Sequence, residues 1–198
     1  MSQYIIMTDS SCDLPAGLAA ELELEVLPLS VLIDGKSYVN YLDERDITFA
    51  DCYAALRAGR NATTSAVNVE AFVQAMEPHL QAGEDILYLG FSSALSGTYN
   101  AGAVAAQQLA EKYPERKLYA VDTLSASMGQ GLLVYLTVQQ KRAGATIEQA
   151  RDYAEAQKLH LCHWFTVDDL NHLHRGGRVS ATSAVLGTCL LYTSPSPR

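Results

Sequence analysis

Ser93, Ser96, Gly97 and Thr98 are the residues of this chain whose types and spacing best suit ligand chemistry. They follow the apolar run Asp85-Ile86-Leu87-Tyr88-Leu89-Gly90-Phe91 and precede a segment rich in small residues, which places them at a strand-to-helix junction. A helix N-terminus leaves its first backbone N–H groups unpaired, and its dipole favours negative charge. Hydroxyls beside such groups make a site for a carboxylate or a phosphate. Capping of the helix by Ser96 or Thr98 explains the same residues and is the plainer reading of the local sequence. Thr8-Asp9-Ser10-Ser11 and Asp122-Thr123-Leu124-Ser125 also follow apolar runs. Thr63-Thr64-Ser65 is a weaker signal, since a polar turn ahead of a helix accounts for it.

Other chemistries lack their residues. There is no GxSxG elbow, no Walker A sequence and no GxGxxG; Gly129-Gln130-Gly131 runs into leucines. A serine hydrolase using Ser93 or Ser96 would also need a histidine within hydrogen-bond reach. His160, His163, His172 and His174 cluster late, but without HExxH. Histidines two apart on a helix point to different faces. No metal and no cofactor are expected. Asp168-Asp169 reads as a helix start, and Arg175-Gly176-Gly177-Arg178 as a tight turn. Its arginines suit plain solvated surface, or a grip on an anionic group or a partner protein. Cys12, Cys52, Cys162 and Cys189 form no CxxC pair and read as reduced thiols, mostly buried.

The elements that must position these loops are legible as alternating patterns. Tyr4-Ile5-Ile6-Met7, Leu24–Ile33, Asp85–Phe91, Lys117–Val121 and His163–Val167 read as strands, with Pro28 pushing the second towards an edge or irregular strand. Asp34-Gly35 signals a hairpin. Gly59 to Ser65 carries no periodicity and reads as a loop. Helices are expected from Asp13-Leu14-Pro15, over 48–56, over 69–80 with Phe72, Val73, Met76 and Leu80 on one stripe, over 98–113, and over 127–142. Pro78 is expected to kink or end the third of these. Thr146 with Gln149 forms a capping-box pattern for a helix to about 159, and a short helix follows Asp168. Strands alternating with helices imply an α/β fold with a mainly parallel sheet flanked by helices, whose ligands lie at the carboxyl ends of the strands. The three polar loops then gather along one edge.

Of 198 residues, 48% are hydrophobic and 18% charged, which excludes a disordered or coiled-coil chain. Fourteen Lys and Arg against 22 Asp and Glu give a net charge of −8, which argues against nucleic acid as the main partner. No apolar run reaches membrane-spanning length. The N-terminus MSQYIIMTDSS carries no basic region ahead of a long apolar stretch, so a cytoplasmic location is expected.

Taken together the loops resemble the DegV family of bacterial fatty-acid-binding proteins. The resemblance rests on Thr8-Asp9-Ser10-Ser11-Cys12-Asp13-Leu14-Pro15, Pro28-Leu29-Ser30-Val31, Thr64-Ser65, Ser92-Ser93-Ala94-Leu95-Ser96-Gly97-Thr98-Tyr99, Asp122-Thr123 with Gly129-Gln130-Gly131, and Val167-Asp168-Asp169-Leu170 through Arg175-Gly176-Gly177-Arg178-Val179-Ser180. It implies a two-domain α/β protein that holds one long-chain fatty acid in a tunnel between the domains. Thr64, Ser65, Ser93, Ser96 and Gly97 would hold the carboxyl head, with Asp9, Ser10, Thr98 and Thr123 supporting them. It implies a non-catalytic carrier that presents the fatty acid to a fatty acid kinase, with Arg178 at the docking surface. The same loops would also suit a phosphosugar-binding protein or isomerase. Burying about 15 methylenes at ~0.8 kcal/mol each is worth on the order of 12 kcal/mol gross, so the tunnel would supply most of the affinity. Ordering costs reduce that figure. A buried carboxylate without a cation is costly, so either several convergent donors or partial protonation is expected.

The sequence departs from the family pattern at Thr123, which stands where the family has serine, and at Ala66-Val67, where Gln-Pro often follows. The expected division is an N-terminal α/β domain over 1–160, the incomplete beginning of a second over 161–188, and an unrelated tail over 189–198 that looks like an artefact of assembly. On this reading the chain is truncated and lacks a family histidine near the head group.

Overall fold

The computed structural model describes residues 3–163 and 170–180. The chain separates into two compact units at Cys162/His163, and each is described by itself. The first unit contains β1 (Tyr4–Asp9), α1 (Ala16–Glu21), β2 (Glu25–Leu27), β3 (Leu29–Ile33), β4 (Lys36–Asn40), α2 (Phe49–Arg57), β5 (Ala62–Ser65) and α3 (Val69–Gln81). It continues through β6 (Asp85–Gly90), α4 (Thr98–Lys112), β7 (Leu118–Asp122), α5 (Met128–Arg142) and α6 (Ile147–Gln157).

Four strands form a parallel sheet in the order β2-β1-β6-β7. Successive side chains of a strand leave on opposite faces. On one face Ile86 and Tyr88 of β6 join Met7, and Phe72, Met76 and Leu80 of α3 with Ala105 and Leu109 of α4 cover them. On the other, Leu87 and Leu89 join Ile6 and Val121 beneath Leu133, Val134 and Val138 of α5 and Ile147, Ala150 and Ala154 of α6. Burial on both faces is why β6 reads as an unbroken apolar run. Each large side chain so buried contributes about 1.5–3 kcal/mol.

Pro28 does more than roughen one strand. It divides the apolar run into β2, at the edge of the parallel sheet, and β3, the centre of a separate antiparallel sheet in the order β4-β3-β5. The Asp34-Gly35 hairpin forms as expected, with φ of 49° and 84° at its two turn residues. Part of the segment expected as a loop is strand β5. Thr63 and Thr64 carry no apolar alternation because pairing with β3, rather than a buried face, holds them extended.

Thr48 caps α2 through the Asp51 amide, and Thr146 and Gln149 close the capping box of α6. Asp13 does not cap α1: it adopts a left-handed conformation, and the helix starts after Pro15 without a side-chain cap. Nor does Pro78 end α3 early, since it lies in the last turn, where a lost N–H breaks a single helical bond.

The described part of the second unit is α7 (Leu170–Arg175) and the turn after it. The Gly177 amide donates to the His174 carbonyl and the Arg178 amide to Leu173, each at 2.9 Å, with Gly177 at φ 75°. The expected strand over 163–167, Asp168-Asp169 and the tail over 189–198 lie outside the described residues, His163 apart. Among the described residues no helix is long and apolar enough to cross a membrane.

Candidate functional site

The strand order fixes where a ligand would bind. From β1 the chain moves to β2 on one side, and from β6 to β7 on the other, so the order reverses between the adjacent strands β1 and β6. In open α/β sheets the crevice outside the carboxyl ends at such a reversal is the ligand site. The loops flanking it are those after β1 and β6, which contain Asp9-Ser10-Ser11 and Ser93-Ser96-Gly97. β1, β6 and β7 run parallel, so the three polar loops leave along one edge of the sheet as expected, those after β1 and β6 at the reversal itself.

Two carboxylates bind these loops together. Asp9 is fully buried and accepts hydrogen bonds from the Ser11 amide at 3.1 Å, the Tyr88 hydroxyl at 3.0 Å and the Phe91 amide at 3.1 Å. Asp122, half-buried at the end of β7, accepts from the Ser93 amide, 3.3 Å from both its oxygens, and from the Leu124 amide at 3.0 Å. Between them the Ser92 amide donates to the Ser125 carbonyl at 3.0 Å. Thr123 is buried and donates through both its amide and its hydroxyl to the Gly90 carbonyl. Ser10 is likewise buried, and its Oγ accepts from the Leu29 amide at 3.0 Å and from Asn40 Nδ2 at 3.2 Å, tying the small sheet to the end of β1. Asp9, Ser10 and Thr123 thus hold the loops in place.

Within the loop after β6, Ser96 Oγ accepts from the Thr98 amide at 3.2 Å and lies 3.0 Å from Thr98 Oγ1. Thr98 is buried. The Ser96 hydroxyl therefore covers an amide of the first turn of α4, although Gly97 is the cap residue itself and makes no side-chain cap. Ser93 is half-buried, and only its backbone amide is engaged among the described residues. Gly97 has φ −74°, which any residue adopts, and a side chain there would meet nothing within 4 Å. The fold does not demand this glycine, and the space beside it is open.

Thr64 and Ser65 are exposed and lie on β5. Their side chains leave the small sheet on opposite faces, Thr64 in register with Val31 and Ser65 with Ser30. Ser30 adjoins Leu29, whose amide is held by Ser10. Arg178 is exposed in the turn of the second unit.

Sequence reasoning missed Tyr88. Its ring is fully buried, edge-on to Phe72 at 4.9 Å, and its hydroxyl reaches Asp9. Gly90 and Gly102 make room for it, because a Cβ at either would fall 2.6 Å and 2.5 Å from Tyr88 atoms. Burial first, then the charge and hydrogen bond of Asp9, pushes the Tyr88 hydroxyl pKa well above its ordinary value. The signal was a polar-tipped aromatic inside an aliphatic run, two residues before glycine. Gln130 was also missed: its Nε2 donates to Thr8 Oγ1 at 3.0 Å, and that hydroxyl donates to the Leu89 carbonyl at 2.9 Å. Gln130 Oε1 and Ser125 Oγ are buried without a hydrogen-bond partner among the described residues. The intervening loop is strained, with Leu124 at φ 53° and Ser127 at φ 53°, ψ −132°.

A family model for the DegV family, described as uncharacterised proteins, matches residues 3–191. A DegV domain-containing protein of Clostridium perfringens is 45% identical over 190 residues, 96% of this chain and 65% of that protein. Among solved structures, a fatty-acid-binding DegV family protein from Thermus thermophilus superposes with a TM-score of 0.80 at 32% identity, over 94% of this chain and 64% of the other. A stearic acid-binding protein from Eubacterium ventriosum superposes with a TM-score of 0.79 at 27% identity, over 91% and 61%. The chain spans less than two thirds of the length of these relatives.

Proposed function

The chain belongs to the DegV family, and from that premise we propose that it binds a long-chain fatty acid in the cytoplasm as a non-catalytic carrier. The observation that carries this reading is the hydroxyl loop after β6 at the point of strand reversal, in a fold shared with structures described as fatty-acid-binding. Ser93 and Ser96, with the Gly97 backbone and a hydroxyl from Thr64 or Ser65, hold the carboxyl head. Asp9, Ser10, Thr98 and Thr123 keep that pocket in shape.

The acyl chain lies in an apolar tunnel. Leu124, Met128, Leu132 and Tyr135 support this, being large apolar residues left 46%, 55%, 46% and 37% exposed. The helical three share one stripe of α5, which begins beside the head-group loops. A stripe of that kind suits grease better than a sugar. A phosphosugar would also bring a dianion next to Asp9 and Asp122, which makes it the weaker occupant. A fatty acid kinase is the proposed recipient, with Arg178, in the hydrogen-bonded turn after α7, as the docking contact. Three histidines with ring contacts support the non-catalytic reading: His79 faces Glu84, His160 the Ala156 carbonyl and His174 the Val179 carbonyl, none of them a serine hydroxyl.

Thermal-shift and lipid mass spectrometry test the reading. Stabilisation by palmitate or oleate, with an acyl chain extracted from the purified protein, is the expected result. Stabilisation by sugar phosphates and by neither fatty acid overturns it.

A further inference from the structure

Among the described residues, Asp13, Glu23, Asp34, Glu44, Leu124 and Ser127 adopt a positive φ without being glycine. All but Leu124 are polar, and short polar side chains tolerate that conformation best. Leu124 is a bulky apolar residue at φ 53° that is also 46% exposed. Such a residue holds a strained backbone only where its surroundings over-determine it. They do so here. Asp122 Oδ1 accepts from the Leu124 amide at 3.0 Å. On one side Thr123 donates through its amide and its hydroxyl to the Gly90 carbonyl. On the other, the Ser125 amide donates to Thr123 Oγ1 at 3.3 Å, and the Ser125 carbonyl accepts from the Ser92 amide at 3.0 Å. The same Asp122 Oδ1 accepts from the Ser93 amide at 3.3 Å, so the backbones of Leu124 and Ser93 meet at one oxygen.

We propose that Leu124 is a specificity-determining residue: it sets an apolar side chain against the first carbons beyond the carboxyl group and so rejects fatty acids that carry a hydroxyl there. The proposal rests on the fatty-acid reading above. On that reading the carboxyl group lies at Ser93 and Ser96, and the carbons that leave it meet the residue hung from the same carboxylate as Ser93. In the chain, Leu124 stands between Asp122 and the exposed stripe of Met128, Leu132 and Tyr135. It is the first apolar surface beyond the head-group loop on the way to that stripe.

The choice of residue agrees. Glycine or asparagine at 124 would ease the backbone, and a polar side chain would suit the exposure. Leucine is worse for the fold on both counts. It does supply an apolar wall whose place is fixed, because the hydrogen bonds of residues 122–125 keep the loop from turning it away. A hydroxyl on the second or third carbon of a bound acid would leave water against that wall and gain no partner from it, since leucine has neither donor nor acceptor. A hydroxyl at the far end of the acyl chain does not meet Leu124.

Equilibrium binding of palmitate, 3-hydroxypalmitate and 16-hydroxypalmitate to the full chain tests this, in the wild type and in Leu124→Asn. The wild type is expected to bind 3-hydroxypalmitate about ten- to a hundredfold more weakly than palmitate. In Leu124→Asn that ratio should fall by about tenfold, while the ratio of palmitate to 16-hydroxypalmitate stays as it was. The ligand-free variant should melt at or above the wild-type temperature, because asparagine tolerates the positive φ and the exposure. Equal wild-type affinity for palmitate and 3-hydroxypalmitate overturns the proposal. So does an unchanged ratio in the variant, or an equal change for both hydroxy acids. A lower melting temperature, or a variant that does not fold, shows that the leucine serves the fold and overturns it as well. Failure of the wild type to bind any of the three acids overturns the fatty-acid reading itself, a result distinct from binding without discrimination.

Discussion

Replacing Tyr88 by phenylalanine removes one oxygen from the core and leaves the ring that Phe72, Gly90 and Gly102 pack against. Asp9 then keeps two of its three donors, the Ser11 and Phe91 amides. A hydrogen bond to a charged acceptor is worth about 1.5–3 kcal/mol, more than a neutral one, and this bond lies in a site with no access to water. Nothing else is lost, since no cavity larger than the hydroxyl forms. For a chain of this size each kcal/mol shifts the midpoint by about 2–4 °C, so Tyr88→Phe should lower Tm by roughly 3–12 °C. Urea denaturation gives the same quantity at constant temperature. The decisive measurement is a double-mutant cycle with Asp9→Asn, in which the two substitutions should be non-additive by about 1.5–3 kcal/mol. Additivity to within about 0.5 kcal/mol would mean that the Tyr88–Asp9 bond does not hold the β6 loop, and the account of how the head-group loop is positioned would fall with it.

Alkaline stability follows from the same core. Burial raises the Tyr4 hydroxyl to about 12, and Tyr88 is raised as well. The unfolded chain therefore releases these protons first, and stability, intact below about pH 10, should fall as pH rises from 10 towards 12; circular dichroism against pH would show it, and no loss of structure by pH 12 would contradict it. Burial also pushes the Cys12 thiol up to about 12, so a disulfide reagent should modify exposed Cys162 rapidly in the native protein and Cys12 only on unfolding. Gly131→Ala would set a Cβ 2.6 Å from the Cys12 carbonyl, forcing α5 away from the turn after β1. A loss of about 1–3 kcal/mol is expected in urea, and an unchanged midpoint would refute the close approach. Arg178→Glu should weaken capture of the protein by a fatty acid kinase in a pull-down while palmitate still binds; equal capture would remove the docking role.

How much of this was legible in the sequence divides along a physical line. Elements that announce themselves locally, by a buried face or by a cap, were read correctly: β6 as an apolar run, α3 by its stripe and α6 by its capping box. Elements that exist because a neighbour pairs with them were not. β5 has four residues of which only one is apolar, and β3 alone makes it a strand, so no local pattern could reveal it. The site divides in the same way. Hydroxyls at a strand-to-helix junction are visible in sequence, because residue type and local context suffice. What they are built upon is not: Asp9 and Tyr88 are 79 residues apart, Thr8 and Gln130 are 122 apart, and only the strand order brings them together. That also explains why helix capping was the plainer local reading of Ser96. It does cover the Thr98 amide, yet Ser93 and Gly97 on either side have no such employment, and both stand at the one place in the parallel sheet where the strand order reverses. Side chains that the fold does not use, at the position where open α/β sheets take their ligands, are what favour proposing a binding loop here over a cap alone.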